Sequence, residues 1–132
     1  MNSISMDHFE NFNDSEIDEM MERLGEVLTA YAQVKTNVLL NGFHQRGPQD
    51  PDVNFSSGLQ MAVFEILNTL SDFFPTSPDA AVEFYNMLYK QLHTFSDLLS
   101  QNEADFDRRR GVQTEYASLL VDIEEVLEIT QE

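Results

Sequence analysis

The chain has 132 residues, 24 of them acidic against 7 basic, and no cysteine. That length fits a single domain with a true hydrophobic core, and the lack of Cys excludes disulfides, thiolate metal sites and a cysteine nucleophile. A net charge of −17 disfavours nucleic acid and anionic membranes as partners and favours basic surfaces.

The apolar fraction is 42%, with ten Phe and four Tyr, enough to argue against disorder along the whole chain. No apolar run approaches the roughly 18 residues needed to cross a bilayer. The opening residues carry neither the basic region nor the apolar stretch of a secretory signal, so a cytoplasmic location is expected.

In chain order, residues 1–12 read as a flexible leader with acidic and aromatic residues, and residues 13–132 as one helical domain. Asn13 and Glu16 have capping-box spacing, and Phe12 and Ile17 have that of a hydrophobic staple. Asp14, Glu16, Asp18 and Glu19 place negative charge where the helix dipole favours it. Apolar residues then recur at Ile17, Met20, Leu24, Val27, Tyr31, Val34 and Val38, three heptads of a helical seam. A helix is predicted over 14–41, ending at Asn41-Gly42.

Residues 42–54, with two Gly and two Pro, read as the longest loop. A second helix is predicted from about Ser57, capped by Ser57 and Gln60, with Leu59, Val63, Ile66, Leu70 and Phe73 on its inner face and Pro75 closing it. Ser77 caps a third, with Pro78 at its first position and Ala81, Phe84, Tyr85, Leu88, Leu92, Phe95 and Leu99 inside. The fourth begins near Asn102. There Arg108-Arg109-Arg110-Gly111 interrupts the apolar pattern, which resumes from Val112 through Tyr116, Leu119, Leu120, Ile123, Val126 and Leu127. No stretch alternates with period two. The expected fold is all-α, an antiparallel bundle of about four amphipathic helices.

Catalytic motifs are sparse. His8, His44 and His93 are the only histidines, and none stands in a His-Glu-x-x-His or Glu-x-x-His arrangement. Asp50-Pro51-Asp52-Val53-Asn54 copies the opening of a calcium loop, but Phe55 stands where glycine is needed and Met61 where the bidentate Glu should be. The Glu16/Glu19/Glu22 and Asp122/Glu125/Glu128 sets echo magnesium-binding helices, but they lie at opposite ends of the chain with no basic cluster beside them. No enzyme activity, metal or cofactor is expected. The basic run at 108–110 follows Glu103, Asp105 and Asp107, which predicts local ion pairing rather than a nucleic-acid patch.

The placement of charge says more. Residues 7–26 hold eight acids and one base, residues 115–132 six acids and no base, and residues 27–64 only two of each. Glu115, Asp122, Glu125 and Glu132 fall near one line of the last helix. If the first and last helices are neighbours, Glu16, Glu19, Glu22, Glu26, Asp122, Glu125 and Glu128 form one anionic binding face. In general character the chain resembles the helical DNA mimics with which phages and plasmids block host nucleases and regulators. It also resembles small acidic secretion chaperones that hold a client in an apolar groove.

The leading expectation is an acidic protein that occupies and inhibits or regulates a basic, nucleic-acid-handling partner, without touching nucleic acid or membrane itself. An assembly or secretion chaperone is the alternative. The heptad seam of the first helix also offers a surface for homodimer formation.

Overall fold

The structure, a computed structural model, describes residues 4–41, 51–98 and 103–129. A short 3₁₀ helix, Met6–Asn11, precedes four α-helices: α1 (Asp14–Asn41), α2 (Pro51–Asp72), α3 (Pro78–Leu98) and α4 (Glu103–Leu127). Among the described residues there is no strand. The helices form an all-α antiparallel bundle.

The start of α1 follows from local chemistry. The Glu16 amide donates to Asn13 Oδ1 at 2.8 Å and the Asn13 amide donates to Glu16 Oε1 at 3.0 Å. Two amides that the helix itself cannot satisfy are thus satisfied reciprocally. Phe12 and Ile17 both pack against the core, as the staple spacing predicts. The Ser77 side chain likewise accepts from the Ala80 amide at 3.3 Å and sets the start of α3.

The second helix begins earlier than the sequence pattern predicts. Pro51 opens it, so residues 51–54 are helical, and Ser57 lies inside the helix rather than capping it. The rest of the expected loop, residues 42–50 with His44 and Asp50, lies outside the described residues. Proline is compatible with the first helical turn, where its missing N–H has no intrahelical partner to lose.

The fourth helix also departs from expectation, because it runs unbroken through 108–111. Gly111 marks a crossing point. A Cβ on Gly111 would overlap the Phe55 carbonyl oxygen and stand 2.9 Å from the Leu59 amide nitrogen. One on Gly58 would overlap the Arg108 carbonyl oxygen. The two glycines let α2 and α4 meet backbone to backbone. Contacts from α4 extend to all three other helices. Its buried residues, Val112, Glu115, Tyr116, Leu119, Leu120, Ile123, Val126 and Leu127, accordingly cover a wide sector.

Around α4 the core gathers Met20, Leu24 and Leu28 from α1, Ala62, Ile66 and Leu70 from α2, and Ala81, Phe84, Tyr85 and Leu88 from α3. Burial of the α1 seam stops at Leu28; further on, Tyr31 and Val38 are half-buried and Val34 is exposed.

Residues 4–12 do not stand away from the bundle as a loose leader. Phe9 is part of the core, and the 3₁₀ helix lies against α3. The Ile4 amide donates to Asn86 Oδ1 at 2.9 Å, and Asn86 Nδ2 returns a bond to the Ile4 carbonyl at 2.7 Å. His8 Nε2–H donates to the Leu127 carbonyl at 2.6 Å, satisfying an acceptor at the end of α4. Past that end Glu128 adopts φ 55°, and the Ile129 amide bonds back to the Glu124 carbonyl at 2.9 Å. This is the left-handed turn that closes many helices, here built without glycine.

Candidate functional site

The first and last helices are neighbours and run antiparallel, with Glu26 opposite Asp122 and Glu125, and Tyr31 and Lys35 opposite Glu115. Between them lies an open groove of about 580 Å³. Its acidic members are Glu26, Asp122 and Glu125. Ala30, Val34 and Val126 give it an apolar floor, and Arg23 and Lys35 also line it.

Three of the seven acids expected to act together are therefore brought to one groove. Glu16, Glu19 and Glu22 are exposed on α1, and Glu128 is exposed just past α4, but none of these four lines it. Glu19, Glu22 and Glu26 are spaced three and four apart, so they share one stripe of α1 leading into the groove.

The acid that sequence reasoning misplaced is Glu115. Expected on the outer line of α4 with Asp122 and Glu125, it is instead only 5% exposed. Lys35 Nζ stands 2.8 Å from Glu115 Oε1 and donates to Oε2 at 3.2 Å, and the Tyr31 hydroxyl donates to Oε1 at 2.9 Å. A buried carboxylate needs such partners to remain charged. A signal for this was present: Glu115 lies three residues after Val112 and four before Leu119, on the apolar face of its helix.

The network also fixes Tyr31. Burial first, and the adjacent Glu115 charge second, push its hydroxyl far above the ordinary range. The group therefore stays protonated as a donor. Tyr116 is pushed up as well, first by burial and then by the charge of Glu65. A similar tie holds the other side of α4, where the Tyr85 hydroxyl donates to Glu124 Oε2 at 2.6 Å. These bonds hold α4 between α1 and α3, and so set the spacing of the groove walls.

Arg110 pairs with Asp107 at 3.5 Å, Arg109 and Arg110 lie over the Phe106 ring, and Arg110 also lies near the Phe55 ring. His93 rests against Tyr89 with ring centroids 4.6 Å apart. Among the described residues, no three His, Asp or Glu side chains converge on a possible metal position, and no helix is long and apolar enough to cross a membrane.

The groove thus sets three carboxylates, with Arg23 and Lys35 beside them, above an apolar floor. Comparison with protein-family models, with curated proteins and with solved structures finds no match.

Proposed function

We propose that this protein works by binding, and that it occupies a basic, nucleic-acid-handling protein through the anionic face of α1 and α4. The observation that carries this reading is the juxtaposition of Glu26 with Asp122 and Glu125 across one groove. The stripe of Glu19 and Glu22 extends that charge along α1. Carboxylates repeated on two rigid, antiparallel helices present negative charge at fixed spacing, as a phosphate backbone does. The long-range field steers a cationic partner to the face. The apolar floor at Ala30, Val34 and Val126 then gives its side chains a surface to bury. Inhibition or regulation follows from occupancy, since a cationic groove so covered is closed to nucleic acid.

The test is capture of partners from the native host by the wild-type chain and by a variant with Glu16, Glu19, Glu22, Glu26, Glu125 and Glu128 changed to Gln and Asp122 to Asn. Mass spectrometry identifies what each retains. The expected result is a basic nucleic-acid-binding protein held by the wild type at ~50 mM salt and released as the Debye length shortens toward ~500 mM. The neutralised chain should associate with it more slowly, because exposed charges mainly govern encounter. Gln matches Glu closely in helix propensity, so the fold is retained. Partners held equally by both chains at unchanged rates would reject the proposal.

A further inference from the structure

Full burial of the α1 seam ends at Leu28, but the seam itself continues into the groove between α1 and α4. Val27 and Tyr31 pack against the core and also line the groove, and Val34, the next member, is 57% exposed. These three residues are spaced four and three apart, so they form a ridge along α1. Ala30 lies beside it, and Val126 of α4 also lines the floor. From Arg23 to Lys35, the outermost lining residues on α1, the helix advances about 18 Å, or about three turns.

Two properties of this groove specify its occupant. The first is charge. Glu26 stands on one wall, and Asp122 and Glu125 stand on the other. Lys35 is bonded to the buried Glu115, so its charge is already balanced, and the three carboxylates outweigh Arg23. The ridge is thus flanked by negative charge on both sides. A second copy of this chain is repelled from it, and a segment with basic residues on both flanks is drawn in. The second property is backbone chemistry. Val27, Ala30 and Val34 carry no hydrogen-bonding side chain, and their own peptide groups are engaged inside α1. An extended segment laid on this floor buries peptide groups that find no partner there, which is costly. A helix arrives with its peptide groups already paired.

Resting on the reading of this groove given above, we infer that the part of the partner it receives is a basic amphipathic α-helix. Its apolar residues recur three and four apart and pack against the ridge of Val27, Tyr31 and Val34. Lys or Arg on its two flanks meet Glu26 on one side and Asp122 and Glu125 on the other.

The test uses two ~18-residue peptides of identical Leu, Lys and Gln composition, long enough as helices to span the groove. In one, Leu recurs three and four apart. In the other it stands at every second position, so an apolar face forms only in an extended chain. Fluorescence anisotropy with the full chain at ~50 mM salt should show the first binding at least ~10-fold more tightly than the second. Circular dichroism of that mixture should exceed the sum of its parts in helical signal. Val34→Ser should weaken the first peptide about 10-fold, the loss expected when one valine is no longer buried. The side chain is exposed, so the melting temperature of the variant should be retained. Val121→Ser, on a side chain 54% exposed on α4 but outside the groove, should change nothing. Neutralising Glu26, Asp122 and Glu125 together should weaken both peptides. Equal binding of the two peptides, or binding indifferent to Val34→Ser, would overturn the inference, as would no binding of either up to ~500 μM. Binding that falls on neutralisation but not with Val34→Ser is the signature of charge alone. It would remove the helix and leave the anionic face standing, so the two failures are distinguishable.

Discussion

Gly58 and Gly111 face each other across α2 and α4 so closely that a Cβ on Gly111 would stand 3.1 Å from the Gly58 Cα. Neither position can take a side chain without the helices parting, because what a methyl group meets is backbone. Gly58→Ala and Gly111→Ala should each destabilise the fold by about 3 kcal/mol, at the upper end of overpacking costs. Urea unfolding measures this directly; a loss below about 0.5 kcal/mol would mean that the helices can separate freely.

Gly25 is the contrasting case. It lies inside α1, and a Cβ there would meet nothing within 4 Å. Glycine in a helix interior costs about 1 kcal/mol relative to alanine. Gly25→Ala should therefore stabilise the protein by about that amount, read as a higher urea midpoint with an unchanged slope.

Glu128 holds a left-handed backbone conformation with a side chain attached, a geometry that costs about 1–2 kcal/mol for residues other than glycine. Glu128→Gly relieves it and should stabilise the fold by about 1 kcal/mol. Because Glu128 is also one of the acids proposed to meet a partner, the substitution separates the two roles. The melting temperature should rise while partner association slows.

Tyr31 and Tyr116 are both pushed up from the ordinary value of 10.0. The folded protein therefore holds these protons more tightly than the unfolded chain does. Their contribution to stability is complete below the unfolded pKa of about 10 and is lost progressively at higher pH. Ultraviolet titration near pH 11 should find both phenols un-ionised in the folded state, and they should ionise only as the protein unfolds. Tyr31→Phe should remove one of the late-ionising groups and flatten the alkaline loss of stability.

The parts of the fold legible in the sequence are those whose chemistry is local. Asn13, Glu16 and the acid-rich first turn mark the start of α1 within four residues, and Ser77-Pro78 does the same for α3. Where the deciding contact is distant, the local signal misleads. Gly111 reads as a helix breaker until Gly58 is placed against it, and Pro51 reads as loop because proline can either end or begin a helix. Glu115 shares a line with Asp122 and Glu125 but also stands on the apolar face with Val112 and Leu119; what satisfies it there, Tyr31 and Lys35, lies 84 and 80 residues away. The uneven charge was plain from the residues. That Glu26 meets Asp122 and Glu125 while Glu16 does not line the groove depends on the antiparallel alignment of α1 and α4, which no single helix encodes.

The stitching of the N-terminal segment onto the far end of the chain has a kinetic consequence. Ile4 pairs with Asn86, and His8 reaches Leu127 across 119 residues of sequence. These sites exist only once α3 and α4 have come together, so the segment can lock down only on an assembled bundle. Contacts absent from the transition state slow unfolding without speeding folding. Phe9→Ala should accordingly steepen the escape from the native state and leave the refolding rate nearly untouched. Residues 4–12 then act as a latch that sets how long the native state lasts, not how fast it is reached.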